Sequence, residues 1–400
     1  MKSIQFLFLI FIFFFHFTII NLNAQVEEGV IQKYLDSYLI SGDPSMIEKI
    51  RLEAPESKYD RFCEVYELLD IDNQQGIILS RNLVNDFPDF PEAYFAFGTF
   101  LINGSKEYDS AITYLNKAIE LKPDFTSAWF NRGIGKINLK NYEGAKSDFN
   151  KVLEKDKNHA GAYIMRAVSA YMLQDYPAML SDIDSALRIN PYILSDFYFI
   201  QVRKTIDKAI ELAPGKGNLY FARGHANYES GYFRLAMNDF MAAVNLVPGN
   251  PEYYKMLGAS KIYLGDGPGA EADLNTALDI NSNDPEIFYF LGLYANDLQQ
   301  QPERSFEYFT RAIELDSLNP VYYYQRAWAS YNLFDYEMTI TDVEKAIGLD
   351  SRNGDYYTLR ALSVLDGDLD TKYDYCEDFR HALEIGTTYK VENYIKKYCE

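Results

Sequence analysis

The sequence predicts an all-α fold of stacked helical hairpins, and three observations predict it. First, aromatic residues recur at a fixed spacing: Tyr254 lies 34 residues after Tyr220, and Tyr163 lies 34 residues after Trp129. Second, each period holds two helix-length patterns. Tyr220, Arg223, Gly224 and Asn227 share one side of a first helix, and Ala236, Phe240 and Ala243 follow at i, i+4, i+7 on a second. Third, turn and stop signals separate them. Gly231 in ESGY is free to take a positive φ, and Pro248 ends the pattern because it lacks an amide hydrogen. One such hairpin cannot bury its apolar face alone, so it needs a neighbour of the same shape.

The register holds across eight units. Their leading aromatics are Tyr94, Trp129, Tyr163, Tyr220, Tyr254, Phe288, Tyr323 and Tyr357. Four residues on stands Gly98, Gly133, Ala167, Gly224, Gly258, Gly292, Ala327 or Ala361, small enough for two helices to approach closely. A second small slot falls late in the second helix, at Ala118, Ala186, Ala243, Ala277, Ala312, Ala346 and Ala382, with Val152 the exception. In the Trp129 unit, Trp129, Gly133, Tyr142, Ala145 and Phe149 complete a pattern that resembles the tetratricopeptide repeat. The resemblance implies an α-solenoid, a right-handed superhelix of about eight to nine repeats over residues 57–385. It also implies a concave groove that binds a peptide or protein.

Outside the regular units, residues 1–24 read as a secretory signal peptide. Lys2 precedes the apolar run Phe6–Ile20, broken only by His16 and Thr18, and Ala24 offers a small residue for cleavage. The rival is an uncleaved anchor, for which the run is short of the roughly 20 residues a span needs. No Cys follows the run, which disfavours a bacterial lipoprotein, and no second run approaches spanning length. An exported chain, periplasmic or extracellular, is the expectation. Residues 25–56 read as an N-terminal helical cap or diverged repeat. Val30, Ile31, Tyr34, Leu35, Tyr38 and Leu39 form its stripe, and Ser41 or Asp43 is placed to cap the next helix. Residues 57–90 form a degenerate unit, with Leu83 and Pro88 at the late small slot and the proline slot. INGSKEY carries one extra residue, as does the stretch near Gln300, and GDLDTKYDY makes a longer turn. The register fails at 192–214, where Pro214 follows Pro191 by 23 residues instead of 34: a kink or a boundary between two arrays, read functionally as a hinge or otherwise as a tolerated deletion. Residues 386–400 read as a capping helix from Tyr389 to Tyr398, with Val391, Tyr394 and Ile395 on one face. This end resembles those of exported repeat proteins of Gram-negative bacteria.

A net charge of −20 argues against nucleic acid and anionic membranes as partners. No zinc, calcium, P-loop or nucleophile-elbow motif is present, so neither a metal, a cofactor nor enzyme activity is expected. GDGPG at 265–269 sits at a hairpin turn. Arg132, Arg166, Arg223, Arg326 and Arg360 share one first-helix slot, and Asp148, Asp182, Asp239, Asp342 and Asp378 share one second-helix slot. Folding each hairpin at its turn sets the two slots opposite each other, which predicts an ion pair within each. Cys376 begins the last second helix and Cys399 ends the capping helix, so antiparallel packing predicts a Cys376–Cys399 disulfide; Cys63 reads as a buried apolar residue.

In the family resembled, the groove is lined by first-helix residues just after the leading aromatic and one turn further on. Here these are Phe95, Phe130, Ile164, Phe221, Lys255, Tyr289 and Tyr324, then Thr99, Ile134, Val168, His225, Leu293 and Trp328. Phe95, Phe130, Ile134, Phe221, His225, Tyr289, Tyr324 and Trp328 are the candidate binding residues. The alternative is that several pack between neighbouring repeats. The Lys and Asn set with which some of the family grip a C-terminal carboxylate is absent. The expected function is a non-catalytic protein- or peptide-binding scaffold of the cell envelope. An adaptor subunit of a secretion or envelope enzyme complex, or a glycan-binding or hydrolytic protein, is the alternative.

Overall fold

The computed structural model describes residues 29–37, 39, 45–69, 71–196, 200–369 and 373–400. The proposed signal peptide, Tyr38, and the capping residues Ser41 and Asp43 lie outside the described residues. Among the described residues the regular structure is helical, with no strand, and no helix is long and apolar enough to cross a membrane.

The chain divides into two compact units, Met1–Asn190 and Pro191–Glu400. The division falls where the 34-residue register lapses. In the first unit, helical residues 29–37 and the helix Ser45–Glu53 precede a hairpin of Lys58–Tyr66 and Asn73–Asp86. Three regular hairpins follow: Pro91–Phe100 with Tyr108–Leu121, Thr126–Asn138 with Tyr142–Lys155, and Ala160–Met172 with Tyr176–Ile189. The second unit opens with a single turn, Ile193–Asp196, and the helix Ile200–Leu212. Five regular hairpins then run from Gly217–Glu229 with Phe233–Leu246 to Gly354–Asp366 with Tyr375–Ile385. Within each unit, the helices of the regular hairpins pack chiefly on the next in sequence, as expected of an array of α-hairpins.

Local chemistry sets the element bounds. Pro91, Pro251, Pro285 and Pro320 open first helices, where a missing amide hydrogen costs nothing. Asn141, Asp175, Asp266 and Asp335 cap second helices by accepting from a backbone amide three residues on. Each regular hairpin turns through a left-handed residue: Lys140, Gln174, Gly231, Gly265, Phe334 or Asp368. The two hairpins with an extra residue use Lys106 and Gln300 and absorb the insertion differently. Their first helices widen into π-turns at Leu101–Ser105 and Tyr294–Leu298, which keeps the second helix in register.

The small slot exists because a large side chain fills the space beside it. A Cβ on Gly133 would lie 2.6 Å from Phe149, one on Gly292 2.5 Å from Phe309, and one on Gly98 2.7 Å from Leu115. Those second-helix side chains are buried completely or almost so.

At the C-terminus the capping helix is Glu392–Tyr398, shorter than the expected Tyr389–Tyr398. Asp355 holds the preceding residues out of the helix. Its carboxylate accepts from the Thr387 hydroxyl (2.7 Å), the Thr388 amide (2.7 Å) and the Thr388 hydroxyl (2.8 Å). Val391 is fully buried, and a Cys376–Cys399 disulfide ties the helix end to the start of Tyr375–Ile385. Cys63 is buried in the first unit's core, and burial pushes its thiol up to about 12.

Candidate functional site

The arginine slot holds hairpins together. In all five units the guanidinium grips its aspartate through two hydrogen bonds, at 2.9 and 2.6 Å for Arg132–Asp148 and 2.9 and 2.6 Å for Arg166–Asp182. Arg223–Asp239, Arg326–Asp342 and Arg360–Asp378 repeat this geometry. Each aspartate is buried, and each guanidinium lies over its own leading aromatic, Trp129, Tyr163, Tyr220, Tyr323 or Tyr357. Four of them reach further, donating to the preceding second helix at Asn116, Asn150, Asp207 and Thr310. The one sequence signal of this link between neighbouring hairpins is that Asn116 and Asn150 stand 34 residues apart.

The candidate groove residues fare unevenly. Phe95 and Phe221 are 1% and 2% exposed, so they offer no binding surface, a correction to their assignment. Phe95 packs against Phe125 with ring centres 4.9 Å apart, and Phe221 against Tyr253 at 4.8 Å, so each ring fills the seam between successive first helices. Thr99, Ile164, Val168 and Leu293 are buried likewise. Phe130 is half-buried against Phe149 and His159, and Ile134 joins the first unit's core. Tyr289 sits on Tyr322 and Tyr324 on Tyr356. Trp328 is covered by Tyr389, whose ring stacks on it and whose hydroxyl lies 3.2 Å from that of Tyr324. Adjacent first helices bring these slots within ring-contact range, so aromatic residues there pair with one another before they meet a ligand.

His225 is different. It lines an open cavity of about 360 Å³ on the first-helix face of the second unit, with Tyr192, Tyr228, Glu229, Glu252, Met256, Glu286 and Phe290. Three successive first helices build it: Gly217–Glu229, Pro251–Tyr263 and Pro285–Leu293. Met256 and Phe290 are buried at its floor. Pro251-Glu252 and Pro285-Glu286 set a carboxylate in the first turn of two successive helices, where the helix dipole favours it.

Behind these carboxylates lies Lys255, only 3% exposed. Its ammonium contacts Glu252 at 2.8 Å, Asp284 at 3.1 Å and Glu286 at 2.5 Å. Burial works to lower the lysine pKa, but Glu252 and Glu286 overcome it, so the group stays charged above the ordinary lysine range. Tyr192 donates its hydroxyl to Glu252 at 2.9 Å and lays its ring 4.6 Å from His225. Ser195 Oγ lies 2.8 Å from His225 Nδ1, and Nε2 is 3.8 Å from Glu229. Burial holds the imidazole below its ordinary pKa, and the nearby Glu229 only partly offsets that. The result is an apolar and aromatic recess under an acidic rim.

Of these lining residues only His225 was named from the sequence. The rim carried a readable signal: Glu252 and Glu286 occupy one slot 34 residues apart, each after a proline. Among the described residues no group of three or more His, Cys, Asp or Glu is placed to hold a metal ion.

Residues 91–125, 126–159 and 320–353 match the family model of the tetratricopeptide repeat. No curated protein matches the chain. Among solved structures it is similar to the APC/C hetero-tetramer Cut9–Hcn1, at 14% identity over 95% of this chain and 94% of that one, TM-score 0.45. It is also similar to yeast Tom70, at 15% identity over 93% and 91%, TM-score 0.41. MamA shares 21% identity over 46% of this chain and 94% of its own, TM-score 0.36.

Proposed function

As the chain is a tetratricopeptide-repeat protein, we propose that it is a non-catalytic scaffold that binds a segment of another protein on the first-helix face of its second unit. One observation carries this reading. Most aromatic slots on that face are closed by ring pairing, whereas the His225 cavity stays open and mixes apolar floor with charged rim, the composition of a peptide-recognition site. The same reading places the protein outside the cytoplasm, in the cell envelope or beyond. The apolar run of residues 6–20 and the Cys376–Cys399 disulfide support that placement, since disulfides persist under oxidising conditions.

Site-specific photo-crosslinking in cells tests the binding face. A photoreactive residue replacing Glu229 is expected to yield a discrete protein adduct. The same residue replacing Glu154, exposed on a second helix of the first unit, is expected to yield none. Equal adducts from both positions, or none from either, would remove the proposal. Fractionation of the full-length chain alongside a chain lacking residues 1–24 tests the placement; identical distributions would count against export.

A further inference from the structure

We infer that the His225 cavity accepts the side chain of an arginine or lysine from a basic segment of the partner; this rests on the scaffold reading and gives its occupant a chemistry. Glu229, Glu252 and Glu286 line the recess and Asp284 stands behind them, and among the described residues the single ammonium paired with any of these four carboxylates is Lys255. An ammonium has three hydrogens to donate, and Lys255 has three carboxylates within 3.1 Å. It therefore has no donor left for a ligand, and an incoming carboxylate or phosphate would meet only the negative rim. Beside the rim carboxylates, His225 adds no positive charge at neutral pH.

The rest of the recess fits the stem of a long cationic side chain. Met256 and Phe290 present apolar surface to methylenes, while the rings of Tyr192 and Tyr228 border the space where the charged head would sit. Cations are attracted to aromatic faces, and the attraction grows as water is excluded. Glu229, 54% exposed at the end of its helix, offers its carboxylate at the mouth. An aliphatic side chain would fill the floor but leave the excess negative charge of the rim uncompensated, because Lys255 sets one positive charge against four carboxylates. A basic side chain satisfies both.

The chain's net charge of −20 draws any basic peptide weakly, so the test must separate the cavity from the general field. The full-length protein is panned against a phage-displayed library of random dodecapeptides, and the selected peptides are synthesised and titrated. Variants Glu229→Lys and Glu154→Lys make the same charge change, one at the cavity mouth and one on an exposed helix of the other unit. The expected result is selection of peptides with an arginine or lysine beside apolar residues. Their affinity should fall roughly tenfold with Glu229→Lys and by less than about twofold with Glu154→Lys. Selected peptides that are neutral or acidic would overturn the inference and leave the scaffold reading standing. So would basic peptides weakened equally by both variants. Failure to select any peptide would count against both.

Discussion

At the scale of single residues, the arginine–aspartate pair decides more than its charge suggests. Asp148 is 1% exposed and accepts from Arg132 and Lys136, so removing its charge strands two cations in a half-buried seam. Asp148→Asn is expected to destabilise the protein by about 2–4 kcal/mol, less than a fully buried pair would cost because both cations keep some contact with water. Replacing Arg132 as well, as in Arg132→Met with Asp148→Leu, should recover part of the loss, since Lys136 still lacks its carboxylate. Denaturant midpoints for Asp148→Asn and the double variant measure it. The pairing was legible because both slots share one register across five units. The additional bond from Arg132 to Asn116 was not, since it depends on how neighbouring hairpins lie together.

His159 supplies a second residue-scale test. Its Nδ1 accepts from the Ala162 amide at 3.0 Å, a helix cap that needs the neutral ring, and burial holds its pKa below the ordinary value. Above the unfolded histidine value of about 6.5 both states are neutral and nothing is lost. As pH falls below that value the unfolded chain binds the proton first, so stability drops until the lowered folded pKa is passed, then levels off. His159→Asn keeps a cap acceptor without titrating, so its melting temperature should depend less on pH between about pH 7 and pH 5. His225, which burial shifts the same way, contributes to the slope that remains. An unchanged slope in the variant would refute the account.

At the scale of elements, hairpin packing depends on matched volumes. Gly133→Ala raises helix propensity by about 1 kcal/mol, yet its new methyl meets Phe149 at 2.6 Å, and overpacking costs about 1–3 kcal/mol. The variant is expected to lose about 1 kcal/mol net. Adding Phe149→Val should relieve it, because the Tyr323 hairpin already combines Ala327 with Val343 in these slots. Thermal melts of both variants give the comparison. The repeating small residue announced close helix contact in the sequence. The two π-turns did not announce themselves: an extra residue can lengthen a loop or widen a helix, and only the packing of the following helix selects the second.

At the scale of the whole molecule, each hairpin leans on its neighbours, so a local injury should stay local. Cys399→Ser opens a disulfide spanning 23 residues, for which chain entropy suggests roughly 3 kcal/mol. Its effect is expected at the end of the array. Amide exchange should quicken across Gly354–Tyr398, where Asp355 and Trp328 lose their hold on the terminal segment, while Thr126–Lys155 keeps its protection. Uniform loss of protection along the chain would contradict nearest-neighbour stability.

The sequence by itself determined the hairpins, their number in the regular stretches and the partners within each hairpin. All of these follow from a local period and from residues within about half a repeat of each other. Tertiary structure alone decided which first-helix side chains remain available. Phe95 and Phe221 occupy the same slot as Tyr289 and Tyr324, yet the former are sealed and the latter half-covered, because each ring's fate depends on what the next hairpin offers it. The His225 recess arises in the same way. Its rim and floor come from residues as far apart as Tyr192 and Phe290, and their separate positions in the chain give no measure of the space left between them.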